Sequence, residues 1–548
     1  MGSARVEMRV QPAETKIRNK LDGRRLSPDL AFILQLTPCL GAGDHGTGDF
    51  PMRSMPWLGL SLTAVFLLLF CGCGATGSTP APLAPAPLSA ANINLIFVVS
   101  EDLTNNAAGD VNASTANLTS QGLQRTLLMA PFLQQNVLGG NNVTVLYALE
   151  PMTHLQTAKQ YPDMVALETV QQFALLNQIT MSSNGEGLNQ ITGYSYPINA
   201  SYVAGSLPSG VAPLPLPATP SYACPGCQGL DFADAGNDNE TLVSGIVQAD
   251  VPGFYVFSAP WETTSSLLAS INTLEGYNLT LPASYISPNY IYAIAVAPSE
   301  RSARLVTYNS DVNPPSTYPA LPPRAIVPTP CATPAFSITV TDGVDGAKFP
   351  KLINTNETLY MLRHANAHPT AYFADGNYVA AGQWRALDLP NALAGKIDPA
   401  QLSQVYSLDP AQVAIGTYNS SGDTNFSHLT PALTVEPYAI ANNLPYNLAA
   451  SFLMSDADAP KETSDFFFTN PQFSGQTFLM AWEHSEISLT VNYLLSSYGS
   501  TQVAPAWPNN DYDTIWTVKL DAVGNLTVNN TMCEGINSAT LPATAPQF

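Results

Sequence analysis

Gln121-Gly-Leu-Gln-Arg-Thr-Leu-Leu-Met-Ala-Pro-Phe-Leu133 and Ala381-Gly-Gln-Trp-Arg-Ala-Leu-Asp-Leu-Pro-Asn-Ala-Leu393 are two versions of one pattern. Gly122 aligns with Gly382, Arg125 with Arg385, Leu127 with Leu387 and Leu133 with Leu393, and each version reads as the opening of a helix. Some twenty residues upstream of each lies an apolar run suited to a buried strand, Asn94-Leu-Ile-Phe-Val-Val-Ser-Glu101 and Thr358-Leu-Tyr-Met-Leu-Arg-His364. Downstream, Leu146-Tyr-Ala-Leu-Glu-Pro151 answers Val405-Tyr-Ser-Leu-Asp-Pro410, and the stretch at 167–174 resembles the one at 435–441. Finally Phe257-Ser-Ala-Pro-Trp-Glu-Thr263 answers Phe478-Leu-Met-Ala-Trp-Glu-His484. The order is the same in both copies, so the chain reads as a tandem duplication.

Strands alternating with helices predict an α/β fold: two tandem three-layer α/β/α domains with mostly parallel sheets, at 93–345 and 346–548. The first copy is longer between its second strand and its Trp, and the excess holds a Pro-rich stretch and Cys224-Pro-Gly-Cys227. That stretch reads as a loop insertion, and the cysteine pair as a structural disulfide, since a second Cys pair or nearby His to complete a zinc site is missing. Sites in such sheets form beyond the carboxyl ends of strands. There the copies differ: Arg363-His364 stands against Ser100-Glu101, and His484 against Thr263.

Composition narrows the class. Of 548 residues only 11% are charged, with 20 Lys and Arg against 41 Asp and Glu and a net charge of -21. Nucleic-acid binding is excluded, because a phosphate backbone must be met by clustered basic groups. A single apolar run, Trp57 to Phe70, follows Arg53 and precedes Cys71-Gly-Cys73. It is too short to span a bilayer and suits a signal-peptide core, so 52–73 reads as an export signal with a bacterial lipoprotein cleavage site and lipid on Cys73. Cys71 is the less well placed alternative. Residues 1–51, compositionally foreign to the rest, read as a disordered or misassigned extension, with translation starting at Met52 or Met55. The Pro/Ala-rich stretch at 74–92 reads as an extended tether. The expectation is an exported protein, membrane-anchored through lipid and facing the periplasm or cell exterior.

Leu362-Arg-His-Ala365 after a strand, a Gly382-x-x-x-Ala386 helix, Val405-Tyr-Ser407 and His484 after an apolar strand together resemble the histidine phosphatase superfamily, which includes phosphoglycerate mutases and histidine acid phosphatases. The likeness covers most of 357–498 and, more weakly, 94–275. It implies that His364 attacks phosphorus to give a phosphohistidine while Arg363 and His484 hold phosphoryl oxygens of a small phosphorylated substrate. It calls for no metal and no cofactor. The first copy, lacking both histidines, is expected to be catalytically dead.

The chain departs from the family's pattern in three places. Thr430 stands where the resemblance places a second phosphate-binding Arg, with His428 the nearest substitute; Arg385 is the other residue that could restore the charge. Ala367 stands where the acid-phosphatase branch has a further Arg before Pro369. For the proton donor, Glu436 takes the mutase-branch position and Glu486 is the weaker alternative. Glu483, matched by Glu262 in the first copy, reads as structural. The rival reading is a non-catalytic binding or scaffolding lipoprotein. His154 reads as an ordinary core or surface histidine, and the acidic loop of Asp231, Asp234, Asp238 and Glu240 lacks calcium-loop spacing.

Overall fold

The computed structural model describes residues 84–176, 198–200, 229–322, 334–367, 376–410, 413–416, 424–449 and 458–548. The chain divides into units 1–78 and 79–548. The extension, the export signal, Cys73, most of the tether, Cys224, Cys227 and the Pro-rich insertion lie outside the described residues. Among the described residues, no helix is long and apolar enough to cross a membrane.

The first half runs β1 (Ile93–Val99), α1 (Ser120–Phe132), β2 (Val145–Ala148), a two-stranded ribbon of β3 (Leu155–Gln156) and β4 (Tyr161–Pro162), and α2 (Val165–Leu176). It continues with β5 (Ile198–Asn199), α3 (Asp238–Ala249), β6 (Gly253–Ala259), α4 (Trp261–Leu274), β7 (Tyr290–Val296) and β8 (Ala303–Asn309). The second half repeats the series: β9 (Ser337–Val340), β10 (Glu357–Arg363), α5 (Ala380–Leu393), β11 (Gln404–Leu408), the hairpin β12 (Val413–Gly416) and β13 (Thr424–Ser427), and α6 (Thr430–Asn442). Then come β14 (Tyr446–Ala449), α7 (Ala459–Thr469), β15 (Thr477–Trp482), α8 (His484–Ser497), β16 (Thr514–Leu520) and β17 (Leu526–Cys533).

The sheets are ordered β5-β2-β6-β1-β7-β8 and β14-β11-β15-β10-β16-β17-β9. Counting the six repeated strands of each half, both follow the path 3-2-4-1-5-6. In each, the first four run parallel and the last two antiparallel. This is an α/β fold with two sheet-bearing domains, as expected. β1 and β6 are buried along their whole length, which explains why they read as continuous apolar runs without alternation.

The repeated Gly and Arg have one job in both copies. A Cβ on Gly382 would lie 2.6 Å from the Asn366 carbonyl oxygen, and one on Gly122 closer still to that of Asp110. The missing side chain lets the loop after the first strand press onto the helix. Arg125 Nε then donates to Asp110 at 2.5 Å and Arg385 Nε to Asn366 at 2.8 Å. The same guanidinium reaches the segment beyond the sixth strand, at the Val312 carbonyl in one copy and the Ile536 carbonyl in the other.

Two boundaries move. β9 pairs with β17, so the second sheet begins before 345. The ordered body also starts before Asn92: Leu88 is buried, and Tyr308 donates to the Ala86 carbonyl. The halves share one apolar core running from Leu88 and β1 to Leu362, Leu433 and Leu479. Across their contact, equivalent residues meet: Glu150 faces Asp409 and Glu168 faces Glu436, while Leu127 and Leu387 join one apolar cluster. Self-equivalent contacts of this kind mark packing about a local two-fold axis. The C-terminal tail crosses the contact as a strap, its Thr544 carbonyl accepting from Trp384 and its Pro546 carbonyl from Gln172.

Candidate functional site

The strand ends set the register of the site. His364 N donates to the Trp482 carbonyl at 3.0 Å, and Ser100 N donates to the Ala259 carbonyl at the same distance. One residue later the helices start alike, Ile487 N bonding to Glu483 O and Thr264 N to Pro260 O. His364 therefore corresponds to Ser100, Glu483 to Pro260 and His484 to Trp261. The sequence pairing of His364 with Glu101 is corrected by one residue, and those of Glu483 with Glu262 and His484 with Thr263 by two. The shared Trp-Glu pair misled the latter two: Trp482 ends a strand inside the core, whereas Trp261 begins a helix and packs on Tyr285 and Tyr292. Glu483 thus has no carboxylate counterpart, and its reading as a repeated structural residue falls.

His364 and His484 stand at the ends of adjacent parallel strands and meet through this carboxylate. His364 Nε2 lies 2.6 Å from Glu483 Oε2, and His484 Nδ1 pairs with Glu483 Oε1. The outer nitrogens are tied as well, His364 Nδ1 to the Ala365 carbonyl at 2.8 Å and His484 Nε2 to Asn509 Oδ1 at 3.0 Å. Burial alone would raise the Glu483 pKa, but the two imidazoles outweigh it and hold the carboxyl well below its usual range. His364, Glu483 and His484 each offer one ligand atom, all within 4.8 Å of one another, so the cluster could hold a metal ion.

Arg363 lies beside the cluster and shares Asn509 and Tyr512 with it. Its Nη1 donates to the Asn509 and Asp511 carbonyls at 2.6 and 3.2 Å, and its guanidinium carbon lies 3.8 Å over the Tyr512 ring. His428 does come close, its ring 6.1 Å from that of His364, and burial together with His364 pushes its pKa down to about 3, so it is a neutral imidazole. It precedes the N-terminus of α6, whose Thr434 hydroxyl accepts from Ala365 N at 2.7 Å. With His484 opening α8, two helix N-termini approach His364, a setting that favours negative charge.

Two expected site residues lie elsewhere. The Arg385 guanidinium is fully buried against Glu534, Asp513 and Ser538, so it does not supply the missing phosphate contact. Glu436 faces Glu168 at the contact between halves, where burial and that second carboxyl raise its pKa well above the ordinary value. Glu486, in the first turn of α8, is pushed up to about 7 by burial and by Glu483.

The sequence reading missed Glu483, Asn509 and Tyr512. For Glu483 the signal was present: aligned from the ends of the two strands, it stands opposite a proline. Asn509 and Tyr512 come from the loop before β16, far along the chain and without a motif. In the first half, Trp261 fills the place of His484, and Tyr285 donates to Glu101, whose pKa burial pushes up to about 8. His154 pairs with Asp163 at 2.8 Å and stacks on Phe232 at 3.7 Å, and the carboxylates of Asp231 and Asp234 accept backbone N–H groups of their own loop. A cavity of about 350 Å³ lies at the opposite ends of the strands, between Gln404, Asn447 and Gln476, and shares no residue with the His364 cluster. Cys533 is disulfide-bonded.

Compared with known proteins, the chain matches no family model and no curated protein.

Proposed function

We propose that the second half hydrolyses phosphomonoesters through a phosphohistidine on His364, and that the first half is its structural partner. One observation carries this reading. His364 and His484 meet at the carboxyl ends of adjacent strands, and the otherwise equivalent first half has Ser100 and Trp261 there. The Ala365 carbonyl holds Nδ1, which leaves Nε2 to attack phosphorus. The N-termini of α6 and α8 favour the incoming charge.

The incoming phosphoryl group takes over the contact that Glu483 makes with Nε2. Glu483 accepts the Nε2 proton as the N–P bond forms, and water supplies the proton to the leaving oxygen as the P–O bond breaks. Water then cleaves the N–P bond, releasing phosphate and restoring His364. Arg363, held by backbone carbonyls, positions the strand end rather than the phosphoryl oxygens. The test is phosphate release from an aryl phosphate by the purified chain, with radiolabelled substrate used to trap an acid-labile, alkali-stable adduct. Wild type forms the adduct and His364→Ala does not. Equal background for both leaves the non-catalytic binding reading in its place.

Export with a lipid on Cys73 is part of the same proposal, and the disulfide at Cys533 fits an oxidising compartment. Cells fed radioactive fatty acid should label the wild-type chain and not Cys73→Ala.

A further inference from the structure

We infer that His364, Glu483 and His484 form a binding site for one divalent transition-metal ion of the zinc type. Two imidazoles and one carboxylate with ligand atoms within 4.8 Å of one another match the donor set of open zinc and iron sites, which leave a position for water or another ligand. Magnesium and calcium prefer shells of oxygen alone, so they are the wrong class.

The surroundings of the two rings carry the inference further than the donors do. A ligating histidine nearly always gives its second ring N–H to an oxygen, which fixes the tautomer and turns the other nitrogen's lone pair to the metal. Both rings are arranged in this way. His364 Nδ1 is held by the Ala365 carbonyl and His484 Nε2 by Asn509 Oδ1, so the inward atoms are His364 Nε2 and His484 Nδ1. These are the two nitrogens that face Glu483. The donors also sit on stiff supports, at the end of one strand and the first turn of the helix after its neighbour, where little ordering is left to do on binding. The first half serves as an internal blank: Ser100, Pro260 and Trp261 offer no comparable set.

Binding of the ion goes beyond the phosphatase reading and does not depend on it. One consequence does rest on that reading: the ion and the phosphoryl group compete for His364 Nε2, so zinc inhibits turnover.

The full chain, stripped with a chelator and dialysed, is titrated with zinc chloride alone by calorimetry, and the bound ion is examined by X-ray absorption at the zinc edge. The expected result is one ion per chain with two imidazole nitrogens at about 2.0–2.1 Å. Asn509→Ala weakens binding about 10- to 100-fold and Glu483→Gln at least as much, while His154→Asn in the first half changes nothing. Absence of saturable uptake, sulfur ligation in place of imidazole, or uptake indifferent to a folded Glu483→Gln overturns the inference. The wild-type absorption spectrum decides the matter even if a variant fails to fold. A chain that turns over phosphate esters and ignores zinc loses this inference alone; one that binds zinc and shows no turnover loses the phosphatase reading alone.

Discussion

The two halves share strand order, helix positions and the Gly–Arg device, yet differ at the ends of the first and fourth strands. Gly122 and Gly382, or Arg125 and Arg385, do the same work in a copy with histidines and in a copy without them, so that work belongs to the scaffold. Ser100, Pro260 and Trp261 stand where the second half has His364, Glu483 and His484, so the shared architecture does not require those three residues. The repeat thus separates what both halves need from what one half alone carries. Arg385 shows the value of the separation. The resemblance made it a candidate phosphate ligand, but its twin Arg125 makes the equivalent contacts in the half that lacks His364 and His484.

The sharpest way to break this comparison is to change the unequal positions. His364→Ala should lower phosphatase kcat/KM by about 10³-fold or more, and Ser100→Ala at the matching strand end should leave it unchanged. Kinetics on a generic aryl phosphate check both. The next effect is on stability. Arg385→Met leaves Glu534 buried without its partner and should cost about 3–5 kcal/mol, read by denaturant unfolding. Arg125→Met, whose site is partly open to solvent, should cost clearly less. Gly382→Ala and Gly122→Ala should each cost about 1–3 kcal/mol, since the new methyl group meets a backbone carbonyl that cannot swing aside. Near-equal losses at the two glycines would sharpen the duplication; a loss at only one would break it.

The remaining effect is a dependence on pH, part of which comes from the contact between halves. Burial, opposed by its hydrogen bond to Glu436, pushes Glu168 up to about 7, and burial with the facing carboxyl raises Glu150 and Glu436 well above the usual carboxylate range. A carboxyl whose pKa is higher folded than unfolded binds more protons in the folded state. Its contribution to stability is complete below the unfolded value, about 4.3 for Glu, and is lost as pH rises through the folded value. Glu101 and Glu357, pushed up to about 8 chiefly by burial, and Glu534, pushed up to about 7 by burial, act in the same direction. Glu483, held low by its histidines, acts in the opposite one and loses its contribution in acid. The melting temperature should therefore be higher at pH 5 than at pH 8, and Glu168→Gln should narrow the difference.

Much of this was legible in the chain. Buried strands such as β1 and β10 announce themselves as apolar runs, and the helix repeat at 121–133 and 381–393 revealed both copies and their order. His364 and His484 were legible because each follows an apolar strand, where the fold puts its sites. Glu483 was misread because side-chain identity, the shared Trp-Glu, was allowed to set an alignment that hydrogen bonds at strand ends set differently. Glu436 was misplaced for another reason. The repeat aligned it with Glu168, but nothing local says that two equivalent glutamates will face each other across a contact between copies.

What the sequence determined by itself was the duplication, the α/β class and the strand ends at which the copies diverge, because apolar periodicity and repeated motifs are local and need no knowledge of what packs where. What only the tertiary structure decided was which charged groups meet. The partners of Arg385, Glu436 and Glu483 come from distant parts of the chain, and the energy of a buried charge depends on those partners and on the loss of water around it, neither of which is written next to the residue.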